Sequence, residues 1–141
     1  MRNMLSSILI LSMLMSCNSG SKKSKSTSNE VRIHDIWAAV RIEGYPINRM
    51  VTVPRLEVNT TEMKIFGNDG CNSYFGTISD ISNSSLILQN IGSTGKMCPN
   101  MEIPDRYLLA ISKVEHYEFI DNLLVLSDRE NNELLAFMKV D

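Results

Sequence analysis

Three cysteines, Cys17, Cys71 and Cys98, hold most of the reactive potential of this 141-residue chain. A cysteine can ligate a metal, attack as a thiolate, accept a lipid or pair as a disulfide. None of the three forms a Cys-x-x-Cys, and neither His34 nor His116 has a neighbour at metal-ligand spacing. No metal or cofactor is expected. A thiol–imidazole pair built from Cys71 with His116 or His34 is the available route to nucleophilic catalysis, and one distant pair is thin support for it. Asp69, Glu102 and Asp105 lie in contexts that suit turns and helix capping. There is no P-loop, GxSxG, GxGxxG or HExxH, so no catalytic residue is assigned. The most distinctive segment is Gly70-Cys71-Asn72-Ser73-Tyr74-Phe75-Gly76. Its glycines permit positive φ or close backbone approach, and its asparagine can bond local backbone. It reads as a well-specified corner, with ligand contact as the functional alternative.

Cys17 has a different context. Arg2 precedes an apolar stretch over residues 4–15, which ends in Leu14-Met15-Ser16-Cys17. Twelve residues are too few to span a bilayer and suit a signal-peptide core. The end of the stretch resembles the bacterial lipobox, with Met15 replacing the usual small residue. This predicts a signal peptide over 1–16, lipid on the Cys17 thiol, and cleavage before it. Two or three acyl chains would then anchor the protein stably. Residues 17–29 follow as the lipidated cysteine and a Ser/Lys/Asn-rich tether without hydrophobic residues. The domain is expected over 30–141. Removing Arg2, Lys22, Lys23 and Lys25 leaves 10 basic against 16 acidic residues, a net charge of −6. Nucleic acid is excluded as a natural partner. The expected partners are the membrane, through Cys17, and an envelope protein. The oligomeric state is open. Asn18 and the lack of an acidic run after Cys17 point to a periplasm-facing outer-membrane anchor.

Cys71 and Cys98 are 27 residues apart. Export permits a disulfide, and lipid on Cys17 leaves an even number of thiols. A bridge is therefore favoured over two buried, unpaired thiols.

Elements must position these residues. Apolar residues make up 43% and charged residues 21%, the balance of a globular chain. His34 to Ile42 alternates, with Ile36, Ala38, Val40 and Ile42 on one face. Extended segments follow over 50–58, 63–66, 74–79 and 86–89, with turns at Gly67-Asn68-Asp69-Gly70 and Asn83-Ser84. Residues 91–96 are less regular. Ile103, Tyr107, Ala110, Ile111 and Val114 have helical spacing, with Pro104 in the first turn and Asn100 as a candidate N-cap. Strands over 116–120, 123–127 and 133–140 close the chain, with Asp121-Asn122 as a tight turn. Short connections favour antiparallel pairing. The expected fold is α+β and mostly antiparallel, a strongly curved sheet or incomplete barrel with one helix.

The Gly70, Cys71, Asn72, Tyr74 and Gly76 pattern resembles the signature of the META/HslJ family. Thr94 and Cys98 match its later Thr and second cysteine. Trp37 with Ile42 and Gly44, the helix through Tyr107 and Val114, and Leu124-Val125-Leu126 with Leu135-Ala136-Phe137 agree in order. Ala39 and Pro104 depart from the usual residues. The resemblance covers about 33–140. It implies an α+β, barrel-like domain, often exported as a lipoprotein and labelled by association with stress, without established catalytic residues. The expected function is that of a non-catalytic, lipid-anchored envelope protein, in stress response or support of envelope components. The alternative is a carrier of a small apolar or acyl ligand in the half-barrel.

Overall fold

The computed structural model describes residues 28–48 and 52–140. The expected signal peptide, Cys17 and most of the tether lie outside the described residues. The element order is α1 (Asn29–Ile33), β1 (Ile36–Ile42), β2 (Tyr45–Pro46), β3 (Arg55–Asn59), β4 (Lys64–Asn68), β5 (Ser73–Ile81), β6 (Leu86–Ser93), α2 (Glu102–Ile111), β7 (His116–Ile120), β8 (Leu123–Ser127) and β9 (Glu133–Lys139).

The strands form one antiparallel sheet in the order β6-β5-β4-β3-β1-β9-β8-β7, with β2 paired to β1. Short hairpins explain most neighbours, while β1 joins the two halves by pairing with β3 and β9. The sheet curls until its two outermost strands meet at one end. Ser85 bridges His116, Leu86 N–H donates to the Glu115 carbonyl at 3.0 Å, and Tyr117 N–H donates to the Ser84 carbonyl at 2.9 Å. The result is a strongly curled half-barrel.

Helix α2 covers the concave side. Its Pro104, Tyr107, Ala110 and Ile111 are buried, as a 3.6-residue period requires. Pro104 occupies the first turn, where its missing N–H costs nothing. Asn100 accepts the Glu102 N–H at 2.9 Å, although the residue at the N-cap position itself is Met101. The interior is filled by side chains, among them Tyr107, Tyr117, Phe137, Leu56, Ile65 and Leu126, all essentially without solvent exposure.

Strand β1 differs from expectation. Trp37 and Ala39 face the core, while Ile36 is exposed and Ala38 and Val40 are half-buried. Both faces of this strand are apolar, so alternation alone could not choose between them. The indole decides: its bulk fills the core, and its Nε1–H donates to the Ile33 carbonyl at 3.0 Å. A bulge between Ala39 and Arg41 then shifts the register and returns Ile42 to the inside. The short helix α1 also had no periodic signal, and His34 sits at its C-terminal end rather than on a strand.

Candidate functional site

The corner between β4 and β5 is built around two buried polar residues, Asp69 and Asn72. One carboxylate oxygen of Asp69 accepts the backbone N–H of Cys71 at 2.8 Å and of Asn72 at 2.6 Å. The Asp69 N–H donates to the Asn72 carbonyl at 2.9 Å. This closes a tight side-chain-held turn. Gly70 within it has φ of +103°, and a Cβ there would stand 3.0 Å from the Thr52 carbonyl oxygen. Only glycine suits both conditions.

Asn72 holds the second segment. Its Oδ1 accepts from the Thr94 hydroxyl and from the Lys96 N–H, both at 2.7 Å. Its Nδ2–H donates to the Lys96 carbonyl at 3.2 Å. The amide thus pairs with both the N–H and the carbonyl of Lys96, as a neighbouring strand would, and takes the Thr94 hydroxyl as well. Beyond it, Cys71 and Cys98 are joined as a disulfide, with Cα atoms 6.1 Å apart. Cys98 leads directly into α2. The corner is therefore fixed to the entry of the helix.

Tyr74 extends the network into the core. Its hydroxyl donates to the Arg55 carbonyl at 3.0 Å and lies 2.7 Å from the Tyr107 hydroxyl. With the Tyr74 proton on Arg55, Tyr107 is the donor between the two rings. Burial pushes both phenols well above their ordinary range, since an ionised ring there would lose its hydration, and the nearby Asp69 charge acts in the same direction. Both remain neutral donors at ordinary pH. Gly67 completes the packing: a Cβ there would collide with the Arg55 carbonyl oxygen and the Tyr74 hydroxyl. Gly76 packs against Ile65 instead, at 3.0 Å from its would-be Cβ.

The residues singled out in the sequence, Gly70, Cys71, Asn72, Tyr74, Thr94 and Cys98, meet in this one corner, with Gly76 two residues further along β5. Asp69, Gly67 and Tyr107 are its additional parts. Asp69 and Gly67 were readable as turn residues, but nothing in the sequence paired Tyr107 with Tyr74. The histidines are elsewhere. The Nδ1 of His34 contacts the Thr60 hydroxyl at 2.9 Å and accepts the Thr60 N–H at 3.1 Å. His116 lies at the far end of β7. Neither is positioned by a contact to Cys71. Among the described residues there is no cluster of His, Cys, Asp or Glu able to hold a metal ion.

Chemically, the corner has little to offer a substrate. Its sulfur is bonded, both polar atoms of its amide already hold partners, and its phenols are buried. Asp69 Oδ2 is the one buried side-chain oxygen among the described residues without a hydrogen-bond partner. The surrounding surface holds a cleft of about 310 Å³ between Thr52, Gly70, Pro99 and Ile103, and larger clefts lie beside Val53 and Arg55 and beside α1.

A META domain family model matches residues 29–141. No curated protein matches the chain significantly. Two solved structures are similar in fold. One is an NMR structure of 21% identity, covering 75% of this chain and 89% of that one, with a TM-score of 0.59. The other is an NMR structure of a protein from Burkholderia xenovorans, of 18% identity, covering 80% of this chain and 89% of that one, with a TM-score of 0.58. At these identities the likeness is one of fold, and it agrees with the curled antiparallel sheet and its covering helix. The match to the family model spans every described element, including the corner that joins Cys71 to Cys98, and the chain belongs to the META domain family.

Proposed function

We propose that this protein is a non-catalytic, lipid-anchored component of the bacterial cell envelope, whose META domain is a rigid scaffold presented from the outer membrane toward the periplasm. The observation that carries the reading is the corner itself. The most distinctive segment of the chain spends its cysteine, asparagine and tyrosine on internal bonds. A thiol mechanism would require Cys71 free, exposed and paired with a base. The anchor rests on the Leu14-Met15-Ser16-Cys17 sequence and the lysine-rich segment after it. A role in envelope stress or in supporting other envelope proteins fits an anchored scaffold.

The carrier alternative gains no support from an interior packed with large side chains. The test is expression of the full chain, with its own N-terminus, in a bacterium that acylates lipoproteins. The reading predicts membrane association that Cys17→Ala abolishes, and no turnover on a hydrolase or thiol-transferase panel. Turnover that disappears with Cys71→Ala while the domain stays folded would overturn it.

A further inference from the structure

The end of the sheet nearest the N-terminal segment carries an apolar surface that the corner does not use. Register partners share a face of a sheet. Ala38 is opposite Met138, Met138 is opposite Leu123, and Leu123 is opposite Ile120. Ile36, two residues from Ala38, is on that same outer face. Ile36, Met138 and Ile120 are each between 42% and 46% exposed. Val31 on α1, at the same end, is 63% exposed. Such a grouping differs from scattered surface leucines, because it is contiguous with a cleft of about 480 Å³ lined by Val31, Arg32, Phe119 and Met138. Charges of both signs border the cleft. The Arg32 guanidinium lies 3.9 Å above the Phe119 ring, and Lys139 Nζ is 2.6 Å from Asp35 Oδ2.

We infer that this end of the domain docks on the surface of the bilayer that holds the anchor, with Val31, Ile36, Ile120 and Met138 entering the head-group boundary. The inference rests on the lipid-anchored reading above. The path of the chain selects the occupant. Residues 18–27 separate Cys17 from the first described residue, and ten residues reach at most about 35 Å. The chain enters the domain at Ser28, and α1, which carries Val31 and Arg32, is the first element after it. The patch is thus presented to the membrane at high effective concentration, where individually weak insertions suffice. Apolar side chains with a cation beside them suit the interface between head groups and acyl chains. Neighbouring charges of both signs match a zwitterionic head-group layer. Tyr45 pairs with Ile42 at the opposite end of β1 from Ile36, and its side chain is exposed, so it serves as the control position.

The test uses the full acylated chain in vesicles of zwitterionic phosphatidylethanolamine and phosphatidylcholine containing a lipid-borne quencher. A fluorescent label is placed at Val31→Cys, Ile120→Cys or, as control, Tyr45→Cys. Quenching at 31 and 120 should exceed that at 45 by about twofold or more, as insertion to the acyl boundary requires. With the label at Met138→Cys, the pair Val31→Glu and Ile120→Glu should reduce quenching to the Tyr45 level while the acyl mass is retained. Equal quenching at all sites, on chains whose mass shows the acyl groups, would overturn docking and leave the anchor standing. Membrane-free chains without acyl mass would overturn the anchored reading and the docking with it.

Discussion

Asn72 is the residue on which the corner depends most. Its side chain makes three bonds to Thr94 and Lys96, and it is almost fully buried. Asn72→Ala should strand the Lys96 N–H and carbonyl and destabilise the domain by about 2–4 kcal/mol. Denaturant unfolding would measure this as a lower midpoint at unchanged slope. Tyr74→Phe should cost about 1–3 kcal/mol, because the Arg55 carbonyl and the Tyr107 hydroxyl both lose their partner. A double-mutant cycle with Tyr107→Phe would return a coupling energy for the hydroxyl pair, and none if the two act independently.

At the scale of elements, the link between Cys71 and Cys98 joins the β4–β5 corner to the entry of α2 across 27 residues. Closing a loop of that length removes denatured-state freedom worth about 3–4 kcal/mol. Reduction, or Cys71→Ser with Cys98→Ser, should lower stability by about that amount, while hydrogen exchange speeds up most at 94–101. An unchanged midpoint would show that Asn72 alone holds the segment. Only some of these elements are legible in the amino-acid sequence. The α2 stripe through Tyr107 and Ile111, the Asp121-Asn122 hairpin and the terminal strands stood out because one face was apolar and the other was not. The β1 face did not, because Ala38 and Val40 are as apolar as Ala39, and a bulge moved Ile42. Within the corner, Gly70, Cys71, Asn72 and Thr94 were visible as unusual residue types. Their hydrogen bonds were not, since Asn72 meets Thr94 and Lys96 only when β5 and β6 pair. Tyr107 contacts Tyr74 across 33 residues, which no local pattern encodes.

For the whole molecule, the buried phenols set the alkaline limit of stability. Burial raises Tyr74 and Tyr107 above the ordinary value of 10.0, and raises Tyr117 to about 12. Below pH 10 the three are protonated in both folded and unfolded chains, so their contribution is complete. Above it the unfolded chain loses protons that the folded one keeps, and stability falls, by up to about 1.4 kcal/mol per pH unit for each phenol. Urea midpoints between pH 9 and 11.5 should drop steeply, and Tyr117→Phe should flatten the drop. The acid limit has the opposite sign. Glu133 is held below its ordinary range by the bidentate Arg41 pair, and Asp35 by Lys139. Their contribution is present above the ordinary carboxylate range and fades as pH falls through the lowered values.

The most direct test of the lipid-anchored scaffold is the intact mass of the full chain recovered from membranes, taken before and after reduction. An anchored scaffold should yield a chain that begins at Cys17, carries acyl mass there, and gains two hydrogen masses when the Cys71–Cys98 bond is reduced. A chain without acyl mass would contradict the anchor. A chain whose mass does not change on reduction would leave Cys71 a free thiol and contradict the scaffold.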